Sequence, residues 1–307
     1  MKFFVTGGAG FIGRHLVTSL IKDNNEVIIY EDFSNSVENN IKKICNDGAL
    51  LIKGDLTDFS FLEKNLKDCD FVIHLAAKID ILESLNQPEI TNKVNVQGTI
   101  NVLRACIKNN IQNVIGASSA AIYGNPATIP VTEETIPNPV SPYGADKIAM
   151  EFYLRSFANA FDLNTISLRF FNVYGKGQSN AYAGVITKFL QKIKSNESLE
   201  IFGDGNNTRD YVYIEDLVNG ILQAIKNIQG QKGTMYNLAS GKSTSINELA
   251  DLKLKISDKR LEIIHKSPRP GDLLFSEVLI SKARNELKYN PQFNLESGLT
   301  KLLVEME

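Results

Sequence analysis

Histidine and cysteine are scarce in this 307-residue chain, which has three of each. The cysteines, Cys45, Cys69 and Cys106, are scattered without metal-ligand spacing, and the histidines form no cluster. Metal-centred chemistry therefore has no support, and the thiols are expected to be free and buried. Net charge is small as well, at −2, so no basic footprint points to nucleic acid or to an anionic membrane. No apolar run approaches the ~20 residues that span a bilayer. Internal repeats, low-complexity tracts and long charge runs are also missing. Met1 precedes the first predicted strand almost directly, which leaves no room for a leader and predicts a cytoplasmic location. What remains is a chain long enough to bury a large core in one or two domains.

Glycine is concentrated at the N-terminus. The apolar run Phe3-Phe4-Val5 predicts a buried strand, and Thr6-Gly7-Gly8-Ala9-Gly10-Phe11-Ile12-Gly13 predicts a tight turn. Ile12, Leu16, Val17 and Leu20 then recur at helical spacing. Strand, glycine turn and helix in that order open a dinucleotide-binding βαβ unit. Gly7, Gly10 and Gly13 permit close backbone approach to a pyrophosphate, and the helix N-terminus offers it unpaired N–H groups. A second strand, Val27 to Tyr30, ends at Glu31, roughly 20 residues on, where a carboxylate meets ribose hydroxyls. That carboxylate repels a 2′-phosphate and so favours NAD over NADP. Arg14 is the one nearby residue that argues otherwise.

Strands and helices continue to alternate through the first half, which predicts a parallel sheet covered on both faces. The strands are Leu50 to Ile52, Phe71 to Leu75, Asn113 to Ala117 and Thr165 to Leu168. The helices are one long segment from about Ile90 to Lys108 and another from about Pro142 to Phe161. Ligands of such sheets lie beyond the carboxyl ends of the strands, where Glu31, Asp55, Ser118, Ser119 and Asn172 fall. The expected fold is therefore α/β, a Rossmann-like doubly wound parallel sheet over residues 1–174. Residues 175–307 form a smaller substrate-binding region, with some elements returning to the main sheet. Within it a helix is expected around Val185 to Lys194, and Ser245 with Glu248 reads as a capping box.

Tyr143 and Lys147 stand four residues apart, on one face of the second long helix. A phenol of pKa about 10 is a poor base near neutrality, and an adjacent ammonium favours its phenolate. Ser118 and Ser119 end a strand about 25 residues earlier, where a hydroxyl can join the tyrosine on a substrate oxygen.

Together these features resemble the extended short-chain dehydrogenase/reductase family, and within it the nucleotide-sugar epimerases of the UDP-glucose 4-epimerase type. The glycine turn is joined, in the family's order, by Gly54-Asp55-Leu56, His74-Leu75-Ala76-Ala77, Asn95-Val96-Gln97-Gly98-Thr99, Ser118 to Gly124, Tyr143 with Lys147, Arg169 to Gly175, Arg209-Asp210-Tyr211-Val212 and Arg269-Pro270-Gly271-Asp272. The resemblance implies that Phe11 and Ile12 meet the pyrophosphate and Glu31 the ribose. Asp55 and Leu56 flank the adenine, and Leu75, Ala76, Ala77 and Asn95 line the cofactor. Asp32, Ser34, Asn35, Ser118 and Phe170 complete the cofactor set. Ser119 and Tyr143 share the sugar's O4, and Lys147 holds the nicotinamide ribose. Asn172, Arg209, Arg269 and Asp272 take the nucleotide, since an arginine's planar fork of donors suits a diphosphate. Phe170, Val185 and Phe202 surround the turning sugar.

Dehydratases and decarboxylating relatives carry acidic residues after the catalytic Ser/Thr, whereas this chain has Ala120 and Ala121. The resemblance therefore implies NAD-dependent C4 epimerisation of a UDP-sugar through a 4-keto intermediate. It also places Ser276 where a tyrosine excludes N-acetyl groups, so the acetylated pair is expected to fit alongside UDP-glucose and UDP-galactose. A homodimer through the helices around Ile90–Lys108 and Pro142–Phe161 is implied too. Two other readings stay open: a reductase of nucleotide-keto-sugars that consumes NAD(P)H, and a non-catalytic nucleotide sensor.

Overall fold

The structure is a computed structural model that describes residues 1–178, 184–268 and 277–306. In chain order it begins β1 (Lys2–Thr6), α1 (Phe11–Lys22), β2 (Glu26–Glu31), α2 (Lys42–Asn46), β3 (Leu50–Lys53) and α3 (Phe59–Asn65). Then come β4 (Phe71–His74), α4 (Ile81–Asn86), α5 (Pro88–Asn92), a π-helical turn over Lys93–Gln97, and α6 (Gly98–Lys108). β5 (Asn113–Ser119), α7 (Pro142–Phe161), β6 (Asn164–Phe170) and β7 (Asn172–Tyr174) follow. The remainder holds α8 (Val185–Lys194), β8 (Leu199–Phe202), β9 (Thr208–Tyr213), α9 (Ile214–Lys226) and β10 (Lys232–Leu238). β11 (Ser243–Ser245), α10 (Ile246–Ile256), β12 (Ile263–Lys266) and α11 (Leu295–Met306) close the chain.

These elements divide into two units. One comprises Met1–Ile122, Pro139–Arg169 and Ile221–Tyr236, and the other Tyr123–Asn138, Phe170–Gly220 and Asn237–Glu307. The first is built on a sheet of order β10-β6-β5-β4-β1-β2-β3, in which β3, β2, β1, β4 and β5 pair in parallel. Phe3, Phe4, Val5, Val72 and Ile73 are fully buried, as strands covered on both faces must be. Strand order reverses between β1 and β4, which opens a crevice beyond their carboxyl ends.

Helix α7 starts where its sequence directs. Ser141 caps it, its Oγ accepting from Gly144 N at 3.2 Å, and Pro142 fits the first turn. Met150, Leu154 and Ala158 then bury one face against Val72, Val102 and Val114. Each buried Leu or Met contributes roughly 1.5–3 kcal/mol, so a few hold the helix on the sheet.

The expected long helix from Ile90 to Lys108 is interrupted. Its first part is α5, and the π turn intervenes before α6. Asn95 lies in that turn, 3% exposed, and Thr99 Oγ1 donates to its carbonyl at 2.6 Å. Periodicity alone does not register such a bulge, because tertiary bonds of Asn95 hold it.

In the second unit β11, β9 and β7 form a small sheet, and β12 pairs in parallel with β8. Asp210 on β9 accepts from the N–H groups of Ser240, Gly241 and Lys242 at 2.7–3.0 Å, fixing the turn before β11. The Ser245–Glu248 capping box opens α10 as its sequence indicates. Among the described residues no helix is long and apolar enough to cross a membrane. All three thiols are free; Cys69 and Cys106 are buried and Cys45 is half-buried.

Candidate active site

Backbone proximity shapes the glycine turn. Gly7 sits at φ +70°, and a Cβ there would lie 2.6 Å from Ala76 N. A Cβ on Gly13 would lie 2.3 Å from Gly7 O. Any side chain at either position would fill the cradle under a pyrophosphate. Helix α1 has no side-chain cap and no acidic residue in its first turn, an N-terminus suited to receive an anion. Glu31, at the end of β2, accepts from Ala9 N at 3.2 Å and Phe33 N at 3.3 Å. Burial pushes its carboxyl pKa up, and those two N–H bonds oppose the rise.

A pocket beside Glu31 is lined by Asp32, Ser34, Asp55, Leu56, Ala76, Ala77 and Lys78. The structure thus brings most of the expected adenosine-side residues together within the first unit. Asn35 follows on the same loop and is exposed. Asn95 works through its neighbours: its Oδ1 accepts from Lys78 N at 2.8 Å, and its Nδ2 donates to Lys78 O at 3.0 Å. It thereby clamps the pocket-lining loop after β4. Asp146 accepts from Asn92 at 2.8 Å and Asn95 at 3.3 Å, tying that clamp to α7.

Ser119 ends β5, and Tyr143 and Lys147 occupy the first turns of α7. The helix presses closely here, since a Cβ on Gly144 would lie 2.7 Å from Ala121 O. This approach brings the Tyr143 phenol and the Ser119 hydroxyl near enough to interact. Lys147 is 4% exposed; its Nζ donates to Ala117 O at 2.7 Å and lies 5.9 Å from the Tyr143 ring centroid. Burial lowers the Lys147 pKa to about 8, and Asp146 and Glu151 oppose that fall. The phenol behaves differently from the sequence expectation. Burial raises the Tyr143 pKa and the Ser119 hydroxyl opposes the rise, while Lys147 directs one of its three N–H donors to Ala117 O.

Behind this constellation lies Glu151, which sequence reasoning missed; Ser118, His74 and Arg169 it had named without assigning their bonds. Ser118 Oγ donates to Glu151 Oε1 at 2.5 Å, and Arg169 grips Glu151 through Nε at 2.9 Å and Nη2 at 2.8 Å. His74 bridges Thr6 and Thr99 at 2.8 and 3.0 Å, and burial, assisted by Lys147, pushes its pKa down to about 3. A charged Arg169 inside the apolar run from Thr165 to Phe170 was the available signal.

The second unit carries the remaining expected positions. Phe170 ends β6 at 8% exposure, and Asn172 opens β7 with its Nδ2 donating to Asp210 O at 3.0 Å. Arg209 on β9 donates to Thr208 O at 2.8 Å; Val185 begins α8 and Phe202 ends β8. Arg269, Asp272 and Ser276 lie outside the described residues.

Residues 3–239 match the model of the NAD dependent epimerase/dehydratase family. The chain is 34% identical over 306 residues to the UDP-glucose 4-epimerase of Mycolicibacterium smegmatis, covering 98% of this chain and 97% of that one. Its structure is similar to that of the Thermotoga maritima UDP-glucose 4-epimerase with UDP-glucose, with a TM-score of 0.94, 34% identity, and 100% and 98% of the two chains covered. It is also similar to the UDP-N-acetylglucosamine 4-epimerase from Methanobrevibacter ruminantium in complex with UDP-N-acetylmuramic acid, with a TM-score of 0.93, 34% identity, and 100% and 99% covered.

Proposed function

From the premise that the chain belongs to the NAD-dependent epimerase/dehydratase family, we propose that it interconverts C4 epimers of a UDP-sugar, with UDP-glucose and UDP-galactose as one pair. The family is enzymatic and its cofactor is NAD, for which the glycine cradle, the open α1 N-terminus and the buried Glu31 carboxylate are suited. When bound, NAD supplies the acceptor and donor of the C4 hydride. One observation carries the choice of reaction: Ser119, Tyr143 and Lys147 stand together, and the next positions along the chain from Ser119 are Ala120 and Ala121. Methyl groups move no protons, so elimination chemistry lacks its acid and base.

In this reading Tyr143 takes the O4 proton and later returns it, and Ser119 donates to the same oxygen. Lys147, held in place by Ala117 O, stabilises the phenolate and binds the nicotinamide ribose. Asn172, Arg209, Arg269 and Asp272 hold the diphosphate, about which the 4-keto sugar turns to present its other face. Serine at position 276 lacks the ring of a tyrosine, and on that ground UDP-N-acetylglucosamine and UDP-N-acetylgalactosamine form a second pair in this reading.

The test is a panel of UDP-sugars incubated with protein alone. Interconversion without added cofactor is expected, because each cycle regenerates NAD; turnover only with added NAD(P)H would replace the epimerase by a reductase. In the same panel Ser276→Tyr should suppress the acetylated pair by about tenfold or more and spare the other, about what a steric clash of 1.4 kcal/mol or more produces. Equal loss on both pairs would remove the pocket argument.

A homodimer belongs to the same proposal. Ile81, Leu82 and Leu85 of α4, Ile90 of α5 and Phe152 of α7 are 48–69% exposed, and these helices pack against one another. Such an apolar face is covered economically by a second copy, and sedimentation at the monomer mass would contradict it.

A further inference from the structure

Glu151 follows Lys147 by one helical turn, so Tyr143, Lys147 and Glu151 share a face of α7. Ser118, Glu151 and Arg169 are 3%, 6% and 2% exposed, and they join β5, α7 and β6 in one hydrogen-bonded set. An ion pair this deeply buried is a costly way to stabilise a fold, because desolvation offsets much of its attraction. Its position explains it better. Ser118 immediately precedes Ser119, and Lys147 donates to the carbonyl of Ala117 on the same strand end. One carboxylate therefore fixes the strand that presents both catalytic partners.

We propose that Glu151 is a positioning residue for proton transfer: through Ser118 it sets the place of Ser119, and its negative charge keeps Lys147 an ammonium beside Tyr143. The inference rests on the reading of Ser119, Tyr143 and Lys147 given above. Among the described residues, the charged and titratable groups placed about Lys147 have distinct parts. Asp146 and Glu151 on α7 favour the ammonium, and Tyr143 is its beneficiary. His74 on β4 is neutral, and Arg169 on β6 is matched by Glu151. Lys147 loses its proton as pH rises through about 8. Removing an anion lowers that value, so the active form should disappear at lower pH.

The experiment measures kcat/KM against pH in the NAD-loaded enzyme for wild type, Glu151→Gln, and the paired variant Glu151→Gln with Arg169→Met. The pair leaves no uncompensated buried cation and so protects folding. In Glu151→Gln the alkaline limb is expected to move down by about one pH unit, with activity at pH 8 reduced about fivefold. Glu151→Asp, which keeps the charge but shortens the reach to Ser118, should keep the limb and lose kcat. The paired variant removes one charge of each sign, so its limb should move less while its kcat still falls with the lost hold on Ser118. An unmoved limb in folded Glu151→Gln, an unchanged kcat in the folded pair, or failure of both Gln variants to fold would overturn the proposal. Tyr143→Phe run alongside separates the two levels. If it stays active the catalytic reading itself is wrong, and if it is inactive the limb judges Glu151.

Discussion

Tyr143→Phe is expected to lower kcat by at least about 10²–10⁴-fold, the usual contribution of a positioned proton-transfer group. Affinity for the nucleotide-sugar should stay near that of wild type. The substitution removes one oxygen from a ring whose place on α7 is fixed by the Ser141 cap and the close approach at Gly144. Any interaction with the Ser119 hydroxyl is lost, but a single hydrogen bond is worth about 1 kcal/mol net and does not unfold a domain of this size. Steady-state kinetics combined with calorimetric titration of UDP-sugar reads both parts. Activity within tenfold of wild type would assign proton transfer to another group.

Gly13→Ala should abolish cofactor retention and lower the melting temperature, although it places a better helix former inside α1. Helix propensity favours alanine by about 1 kcal/mol. Against this, the new Cβ would sit 2.3 Å from Gly7 O and 2.7 Å from Gly8 Cα, all of it backbone that has no rotamer to move. Overpacking of that kind costs about 1–3 kcal/mol, so the clash outweighs propensity. The turn that must shift is also the one that cradles the pyrophosphate. The net loss, up to about 2 kcal/mol, corresponds to a fall of up to a few degrees in Tm, and the supernatant of the denatured variant should contain little NAD. Wild-type NAD content with an unchanged Tm would show that the turn does not seat the cofactor as described.

The glycine turn, the parallel sheet and the span of α7 were legible because each depends on local signals. Phe3 to Val5 is a continuous apolar run, Glu31 follows at the end of β2, and Ser141 with Pro142 marks a helix start. Tyr143 and Lys147 were legible by spacing alone. The π turn at Lys93–Gln97 was not, since Asn95 finds its partners 17 and 51 residues away at Lys78 and Asp146. Arg169 was visible as a charge in an apolar strand, yet its choice of Glu151 is decided by the packing of β6 against α7. The direction of the Tyr143 shift depends on burial and on where Lys147 places its proton, neither of which spacing encodes. A return of some C-terminal elements to the main sheet was expected, but periodicity did not single out Ile221–Tyr236 as that segment, nor Tyr123–Asn138 as part of the second unit.

The fate of the hydrogen on C4 tests the central claim most directly. UDP-glucose carrying deuterium at C4 would be incubated with the protein alone in ordinary water, and the UDP-galactose formed would be analysed by mass spectrometry and NMR. A hydride that leaves C4 and returns within one closed cycle predicts product that keeps its deuterium at C4. Loss of the label to solvent, or no conversion until NAD(P)H is added, would contradict the account.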